Sequence, residues 1–251
     1  MRYVKDQNYE TYYRSSTIPK GTMAELGTIE KDASSHFGRH DKKKFHAQAI
    51  LESAVKNISF KTVLDIGAGE CIQADYFKSI GKEVKTCDLA GISGAHCNNQ
   101  VEYDFQGRFI EIDFKEEKFD FVFSSHTLEH QRNVGLFIDK MLSLVSESGY
   151  ICVVVPIRKP FVTGGHLTLW NPGILLYNLV AAGIDCSESY IHQLDYDICV
   201  IVKVKRFDLK KMQLTYDRGD INLLSDYFPF DVEEPFNGDV MYNNTLFQEC
   251  K

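Results

Sequence analysis

The sequence lacks several features that mark whole classes of protein. Its longest apolar runs, such as 151–155, are far shorter than the ~20 residues that a membrane-spanning helix needs. It also lacks an excess of basic residues, because 28 Lys and Arg stand against 35 Asp and Glu, a formal net charge of -7. A general nucleic-acid binder needs a basic surface to neutralise phosphates. We therefore expect neither a membrane span nor a nucleic-acid partner.

Paired cysteines and several common catalytic spacings are missing too. The seven cysteines are odd in number and show no C-x-x-C spacing, which indicates free thiols in a reducing compartment. No apolar leader follows the N-terminus, so we expect a cytoplasmic protein. The absence of a Gly-x-Ser-x-Gly elbow argues against a serine hydrolase. His126 and His130 show tight spacing, but no His-Glu-x-x-His pattern accompanies them, so we predict no metal site.

The most informative stretch that is present is V-L-D-I-G-A-G-E at 63–70. β-favouring apolar residues run into Gly67-Ala68-Gly69, and a helix is predicted from 71 to 80. Because glycine has no Cβ, the backbone of this strand–turn–helix can approach a nucleotide-like ligand closely. Such a ligand lies outside the carboxyl end of the strand.

The residues around this turn distinguish two ligands. A dinucleotide fingerprint requires a third glycine where this chain has Ile72. Asp65 and Glu70 flank the turn, and their charge opposes a pyrophosphate but suits the ammonium and sulfonium groups of S-adenosylmethionine. Asp88 ends the next predicted strand, where an acid can hold ribose hydroxyls of either ligand. The turn therefore favours S-adenosylmethionine over NAD.

Four motifs, in this order, resemble those of class I S-adenosylmethionine-dependent methyltransferases. They are V-L-D-I-G-A-G-E, T-C-D-L at 86–89, F-D-F-V-F-S-S-H-T-L-E-H at 119–130 and S-G-Y-I-C-V-V-V-P at 148–156. A further segment, G-G-H-L-T-L-W-N-P at 164–172, resembles methyltransferases of bacterial capsule and lipopolysaccharide biosynthesis. The resemblance implies an α/β fold: a Rossmann-like, doubly wound, mostly parallel seven-stranded sheet with an antiparallel last strand. It implies S-adenosylmethionine as cofactor and S-adenosylhomocysteine as product.

Hydrophobic periodicity predicts the individual elements. Helices are predicted over 43–56, 71–80 and 133–146, and another from an N-cap at Asn171 to a stop at Gly183. Strands are predicted at 62–66, 83–87, 119–123, 150–155, 190–194 and 198–204, and a third strand near 101–104. The link between Asp88 and that third strand is short and rich in Gly, Ser and Asn, so we expect a loop in place of the usual helix.

The chain divides into an arm at 1–42, a cofactor-binding methyltransferase domain at 43–206 and an acidic, aromatic C-terminal extension at 207–251. The arm either packs its tyrosines on the core or forms a lid, and one segment can do both. The C-terminal extension is too apolar to be assigned as disordered. It is consistent with packing on the core, with covering the acceptor site or with forming a homodimer.

The resemblance assigns cofactor contacts to residues at the strand ends. Asp104 is a better acid for the adenine amine than Asp113, which stands too close to Asp120, although Asp104 also fits a plain turn residue. Valine at Gly67 is expected to block the cofactor while leaving the strand intact. The expected cofactor-binding residues are Asp65, Gly67, Ala68, Gly69, Asp88, Leu89, Asp104, Phe105 and Ser124.

Catalysis is assigned to histidines near the acceptor. His166, in the loop after the fifth strand, is the first candidate for a general base, and His126 the second. Each could instead have a local role: His166 could only pin its loop, and Glu129 with His130 could only cap the following helix. Trp170 lines an acceptor pocket or packs in the core. The expected substrate-binding residues are Tyr13, Arg14, His130 and Trp170.

The acceptor is expected to be a small molecule or a saccharide. The resemblance points to a capsular or lipopolysaccharide sugar hydroxyl, or to a phosphoramidate substituent, for which cations such as Arg14, Arg39 or Arg158 would matter more than a base. Two alternatives stay open from the sequence. One is an NAD-dependent oxidoreductase with a degenerate fingerprint, and the other is a protein that binds S-adenosylmethionine without turnover.

Overall fold

The strands predicted from the sequence meet in one sheet. A computed structural model describes residues 45–89, 102–159 and 162–240, and the backbone of 242–244. Within these residues the strands, in chain order, are β1 Thr62–Ile66, β2 Glu83–Asp88, β3 Phe105–Gln106, β4 Phe119–Ser125, β5 Val145–Pro156, β6 Tyr190–Leu194, β7 Asp197–Lys203 and β8 Tyr242–Asn244.

The strand order is β3-β2-β1-β4-β5-β7-β6-β8. Strands β1 to β5 run parallel, and β7 runs antiparallel to both β5 and β6. The predicted doubly wound, mostly parallel α/β sheet with an antiparallel last strand is confirmed, and β8 adds an unpredicted antiparallel edge strand on β6. Because parallel strands end at the same edge, β1, β2, β4 and β5 all end at the edge of the sheet where β7 begins. This is the edge at which ligands bind in such sheets.

The helices lie between these strands. They are α1 Gln48–Val55, α2 Ile72–Ser79, α3 Val134–Leu144, α4 Pro172–Ala181 and the short α5 Asp220–Leu223. Asn171 caps α4 as predicted, its side chain accepting from the Ile174 N–H at 2.8 Å, with Pro172 at the first helical position. None of the helices in the described ranges is both long and apolar enough to cross a bilayer.

The core follows the period-two pattern of the strands. On one face, Phe121 and Phe123 of β4 pack with Phe77 of α2 and with Leu51 and Ala54 of α1. The strand residues that alternate with these point to the other face and are buried too, such as Val122, Ile151 and Val153. Burial of both faces explains why β4 and β5 read as continuous apolar runs.

Several predicted boundaries were wrong. The first helix begins at Gln48 and not at 43, since Ala47 before it has a left-handed φ of +54°. The third strand lies at Phe105–Gln106 and not at 101–104, because the Asp104 carboxylate accepts from the Thr86 backbone N–H at 2.8 Å, so the backbone ladder begins one residue later. The fifth strand begins at Val145 rather than at 150. Val145 pairs with Phe119 across a register shift, so the chain is already extended before Gly149, which the prediction took as the helix stop.

The described part of the C-terminal extension packs onto the domain. Leu224, Phe228 and Val232 are buried. The Gly173 N–H, at the start of α4, donates to the Gly238 carbonyl at 2.8 Å, and the Asn171 amide donates to the Asn237 carbonyl at 3.0 Å. The predicted arm at 1–42, with Tyr13, Arg14 and Arg39, and the predicted loop at 90–100 lie outside the described residues.

Candidate active site

The glycine turn joins β1 to α2 at the carboxyl edge of the sheet. Gly67 and Gly69 have φ of +77° and +51°, in the left-handed region that favours glycine. The Gly67 N–H donates to the Cys87 carbonyl at 2.8 Å, and the Gly69 N–H donates to Asp88 Oδ2 at 2.7 Å. These bonds hold the turn, with the buried Ala68 between the two glycines, against the end of β2.

The two glycines serve different purposes. A Cβ on Gly67 would stand 1.9 Å from Thr127 Oγ1, whereas a Cβ on Gly69 would meet nothing within 4 Å in the described residues. Gly67 is therefore required by the packing of the protein itself, and Gly69 borders open space that a ligand can use. The expectation that valine at Gly67 would leave the strand intact does not fit this contact, so Gly69 is the better position for a test of ligand binding.

Asp88 lies where the sequence placed the ribose-binding acid. Its Oδ2 accepts from the Gly69 N–H, and its Oδ1 accepts from the Leu89 N–H at 2.6 Å. A carboxylate has about four lone-pair sites, so each oxygen can accept a further hydrogen bond from a hydroxyl. Leu89 is partly exposed beside it. Asp88 thus ties the turn together and retains acceptor capacity towards a ligand.

Asp104 and Phe105 lie at the start of β3, opposite Thr86 and Cys87 of β2. Asp104 Oδ2 accepts from both the backbone N–H and the hydroxyl of Thr86, at 2.8 and 3.0 Å. Phe105 packs against Phe114, with ring centroids 4.6 Å apart. Asp104 therefore has the structural role that a turn residue would have, and its contact with adenine remains a prediction.

Asp65 is the buried acid of the turn. It is 2% exposed, and its Oδ2 has no hydrogen-bond partner in the described structure. Burial and the nearby charge of Asp88 raise the pKa of Asp65 to about 7, against a hydrogen bond from the Ala74 backbone N–H that lowers it. Ser124 of β4, which pairs with Ile66 of β1, is also buried, and its hydroxyl has no hydrogen-bond partner in the described structure. Two adjacent strand ends thus present buried polar atoms at the ligand edge.

A group of three residues, His46, His126 and Asp197, joins distant parts of the chain at this edge. Asp197 Oδ1 accepts from His126 Nε2 at 2.8 Å and from His46 Nδ1 at 3.1 Å, while Asp197 Oδ2 accepts from the Ala47 N–H at 2.6 Å. The two imidazole rings stack, with centroids 3.7 Å apart. The backbone N–H of His126 donates to the Val154 carbonyl at 2.9 Å, which holds this residue in place.

The charges in this group are strongly coupled. Burial acts to lower the pKa of His126, but the hydrogen bond to Asp197 and the nearby Glu129 carboxylate outweigh it and raise that pKa to about 9. For Asp197, burial acts to raise the pKa, and the two histidines outweigh it and hold the pKa well below the usual range. His126 is therefore protonated at neutral pH and has no lone pair with which to accept a proton.

A second group, Glu129, His130 and His166, lies beside the first. Glu129 is fully buried, with Oε1 at 3.4 Å from His126 Nδ1 and 3.7 Å from His130 Nε2. Glu129, His130 and His166 each present one ligand-type atom within 4.8 Å of the others. The His130 and His166 rings meet edge to face, with centroids 5.0 Å apart. The structure thus brings His166 to the pair Glu129 and His130, from which it is far apart in the sequence.

Backbone contacts fix the loop that carries His166. The Leu167 and Thr168 N–H groups donate to the Glu129 carbonyl at 2.8 and 3.2 Å. The His130 ring donates to the loop. Its Nδ1 lies 2.7 Å from the Gly165 carbonyl oxygen, which can only accept a hydrogen bond. None of these bonds involves the His166 side chain, so the role of His166 in pinning its loop stays a prediction. The alternative that Glu129 and His130 cap the following helix was wrong, because α3 has Asn133 at its N-cap position and no side-chain hydrogen bond caps it.

The remaining predicted residues fall into two groups. Trp170 is 3% exposed and its backbone carbonyl accepts from the Arg158 N–H at 2.8 Å, a position in the core beside the end of β5. Arg158 is exposed at the same end. Tyr13 and Arg14 lie outside the described residues.

Sequence reasoning missed His46 and Asp197, and it undervalued Glu129. The only sequence signal for Asp197 is a carboxylate at the first position of a strand that is otherwise apolar, 197–202. His46 lies 151 residues away from Asp197 and carries no motif. No spacing rule links these positions, so only the sheet topology reveals their contact.

Comparisons with known sequences point to methyltransferases. A family model described as "Methyltransferase domain" matches residues 38–180, more than half of the 251 residues. Ubiquinone biosynthesis O-methyltransferases of Rhodopseudomonas palustris and of a Bradyrhizobium species are each 26% identical over 140 residues, which is 54% of either chain. The chain thus matches about half the length of these curated relatives.

Two solved structures share the fold. The 1,6-didemethyltoxoflavin-N1-methyltransferase of Burkholderia thailandensis, solved with bound 1,6-didemethyltoxoflavin and S-adenosylhomocysteine, is 18% identical with a TM-score of 0.51. The alignment covers 77% of this chain and 94% of that one. A chain of the complex between the Haloferax volcanii Trm112 methyltransferase activator and a methyltransferase is 12% identical with a TM-score of 0.51, covering 72% and 97%. At these identities the likeness extends to the fold alone.

Proposed function

The chain belongs to the methyltransferase-domain family, and from that premise we propose that it is a class I O-methyltransferase acting on a small bacterial acceptor. The cofactor is S-adenosylmethionine and the product S-adenosylhomocysteine. The acceptor that we propose is a capsular or lipopolysaccharide sugar hydroxyl, or a phosphoramidate substituent on such a sugar.

The glycine turn with its buried acid carries the cofactor assignment. Asp65 has a carboxylate oxygen without a partner, Gly69 borders open space, and Asp88 can accept further hydrogen bonds. Acids at the turn attract the ammonium and sulfonium groups of the cofactor and repel a pyrophosphate. We assign Asp65, Gly67, Ala68, Gly69 and Ser124 to the methionine end. The ribose falls to Asp88 and Leu89, and the adenine to Asp104 and Phe105.

Methyl transfer needs little from the protein besides geometry. The acceptor oxygen forms a bond to the methyl carbon as the carbon–sulfur bond breaks, and the electron pair of that bond goes to sulfur. The protein must hold the oxygen close to the methyl group and opposite sulfur. A hydroxyl acceptor also loses its proton, which requires a nearby base or a group that stabilises the oxyanion.

The residues beside the cofactor edge leave one candidate base for an acceptor that must lose a proton. His126 is protonated at neutral pH, so its contribution would be positive charge and positioning. His166, in the loop held to Glu129, is the candidate that remains for proton transfer. The 26% identical relatives, named as O-methyltransferases of ubiquinone biosynthesis, support transfer to oxygen.

The cofactor assignment is tested by calorimetry with S-adenosylhomocysteine and with NAD. We expect binding of the first and none of the second, and Asp88→Ala should weaken binding by roughly 1.5–3 kcal/mol because charged hydrogen bonds are lost. Glu83→Ala, at the opposite end of β2, is the matched control and should bind normally. NAD binding alone would identify an oxidoreductase instead.

The acceptor is tested with labelled methyl groups and a panel of nucleotide-linked sugars and phosphoramidates. For a sugar hydroxyl, His166→Ala should reduce turnover by about 10²–10⁴-fold with cofactor affinity intact. A phosphoramidate oxygen is already anionic, so the loss should be smaller and Arg158→Ala should matter more. Label on tRNA or protein would refute the proposed acceptor class, and tight cofactor binding with no transfer at all would indicate a non-catalytic binding protein.

A further inference from the structure

The Glu129 carboxylate is the starting point, because it is buried in a way that proteins rarely tolerate. The residue is 0% exposed, and neither Oε1 nor Oε2 accepts a hydrogen bond in the described structure. Moving an ionised carboxylate out of water without hydrogen bonds costs several kcal/mol. The ion pair with His126 Nδ1 is long, at 3.4 Å, so this buried carboxylate still lacks a close partner in the described residues.

The neighbours of Glu129 have the spacing of metal ligands. His130 Nε2 stands 3.7 Å from Glu129 Oε1, and the ligand-type atoms of Glu129, His130 and His166 lie within 4.8 Å of one another. Nitrogen and oxygen ligands bound to one ion at about 2.0–2.2 Å lie about 3–4 Å apart. The three side chains could therefore converge on one ion with small movements.

The tautomer of His130 suits a ligand. The Gly165 carbonyl, 2.7 Å from His130 Nδ1, can only accept, so Nδ1 carries the hydrogen. In the neutral ring this leaves the lone pair on Nε2, the nitrogen that faces Glu129. Metal-binding histidines usually donate their second N–H to a carbonyl or a carboxylate, which orients the ring. A lone pair facing a carboxylate repels it unless a proton or a metal cation lies between them.

The loop of His166 is held in register with Glu129. Two backbone N–H groups, of Leu167 and Thr168, donate to the Glu129 carbonyl. Gly165 has a φ of +82°, and a Cβ there would stand 3.1 Å from His130 Nδ1. The glycine thus allows the loop to pass closely over the His130 ring, and the loop then presents His166 beside it.

We propose that Glu129, His130 and His166 form a binding site for one divalent transition-metal ion of the Zn²⁺ or Co²⁺ class. Two imidazoles and one carboxylate suit such ions better than Mg²⁺, which prefers oxygen ligands. Three protein ligands leave a coordination position open, as in catalytic zinc sites. His130 has 43% of its side chain exposed, so the open position faces accessible space.

The neighbouring group of His46, His126 and Asp197 also has ligand spacing. Asp197, however, already accepts three hydrogen bonds, so an ion there would have to break them. The unpartnered carboxylate identifies Glu129 as the centre of the site. The sequence predicted no metal because His166 is 36 positions from His130 and no motif joins them.

An ion at this position would have a use in the proposed reaction, and with it bound His166 would act as a metal ligand in place of a base. It would take the acceptor oxygen in its open position, lower the pKa of a coordinated hydroxyl and stabilise the developing charge. That use rests on the proposed function. The metal site itself does not, because ion binding can be measured without any acceptor.

The test is metal binding by the full chain after treatment with a chelator and removal of the chelator. We expect about one Zn²⁺ per chain by calorimetry, a Co²⁺ complex with visible absorption bands, and much weaker binding of Mg²⁺. Glu129→Gln and His166→Asn should each lower Zn²⁺ affinity at least tenfold. S-adenosylhomocysteine binding and the circular dichroism spectrum report on folding, and His166→Asn, in a loop, serves if Glu129→Gln does not fold.

Two histidine variants are matched controls. His192→Asn, on β6 and outside both groups, should leave Zn²⁺ affinity unchanged, as should His46→Asn. Absence of Zn²⁺ and Co²⁺ binding in a protein that binds S-adenosylhomocysteine would overturn the site and leave the methyltransferase assignment standing. Loss of binding in His46→Asn but not in His166→Asn would also overturn it, because the ion would then belong to Asp197.

Discussion

Two buried carboxylates, Asp197 and Glu129, lie on either side of His126 and are treated by the protein in opposite ways. Asp197 accepts from two imidazoles and one backbone N–H, at 2.6 to 3.1 Å. Glu129 accepts no hydrogen bond, although it is the more deeply buried of the two. Both face His126, so the difference lies in what else surrounds them.

The comparison separates a structural charge from one that is reserved for a ligand. The three donors of Asp197 come from the segments near residues 46 and 126, so this carboxylate connects the start of α1 and the end of β4 to the start of β7. The Glu129 carboxylate makes only long ion-pair contacts to its neighbours His126 and His130, and its backbone carbonyl makes the contacts to the 167–168 loop. Removal of each charge should therefore have different consequences.

The largest effect is expected for Asp197→Asn. An amide in this place presents N–H groups to donors and leaves the charge of His126 without its main partner, which should cost about 3–5 kcal/mol of unfolding free energy. Urea unfolding at pH 7 measures it. Asp195→Asn, in the same turn but exposed with a φ of +51° that asparagine tolerates, is the matched control and should change stability by less than about 0.5 kcal/mol.

If Asp197→Asn proved as stable as the Asp195→Asn control, the three hydrogen bonds of Asp197 would contribute nothing net. The claim that Asp197, unlike Glu129, is a charge that stabilises the fold would then be wrong.

Glu129→Gln should have a smaller effect that depends on metal. In chelator-treated protein it should shift the unfolding free energy by no more than about 1 kcal/mol, because no hydrogen bond is lost and only an ion pair at 3.4 Å is weakened. Added Zn²⁺ should then raise the melting temperature of the unmodified protein but not of this variant. A loss of several kcal/mol without metal would mean that the protein itself satisfies Glu129.

Asp65 adds a third case to the comparison, with one backbone donor and one oxygen without a partner. Its pKa is raised to about 7, so the folded protein holds this proton more tightly than the unfolded chain does, and the associated stability is present at low pH and lost as pH rises through about 7. The ammonium group of the cofactor should favour the ionised form. Affinity for S-adenosylhomocysteine should then rise about fivefold between pH 6 and pH 7, as the ionised fraction of such a group does.

Calorimetry at both pH values measures this change, and Asp65→Asn provides the control, since its weaker binding should not vary over the same range. An equal rise in the variant would assign the pH dependence to another group.

Much of the fold could be predicted because its signals are local. The apolar runs of β1 and β4 and the stripe of α3 follow directly from periodicity, and the cap at Asn171 from turn chemistry. β3 was misplaced because two residues carry no periodic signal, and a side chain, Asp104, replaces its first ladder bond. The predicted start of β5 was too late, because the prediction gave Gly149 more weight as a helix stop than the β-branched Val145 as the start of a strand.

The site divides in the same way. Asp65, Gly67, Gly69 and Asp88 lie within 24 residues and form a motif, so the sequence could identify them. The contacts of Asp197 with His46 and His126 span 151 and 71 positions. They exist because β7 enters the sheet beside β5, and no local pattern encodes that neighbourhood.

The contact of Gly67 with Thr127 has a consequence for how this protein can change. Thr127 Oγ1 donates to carbonyls of Ile66 and Ser125, 3.3 and 3.1 Å away, and occupies the space that any larger residue at position 67 would need. The turn that we assign to the methyl donor is therefore in direct steric contact with the segment that leads to Glu129 and His130. A new acceptor preference that requires 126–130 to shift would disturb the donor turn as well. Evolution can reach such a preference only by compensating substitutions on both sides of this contact.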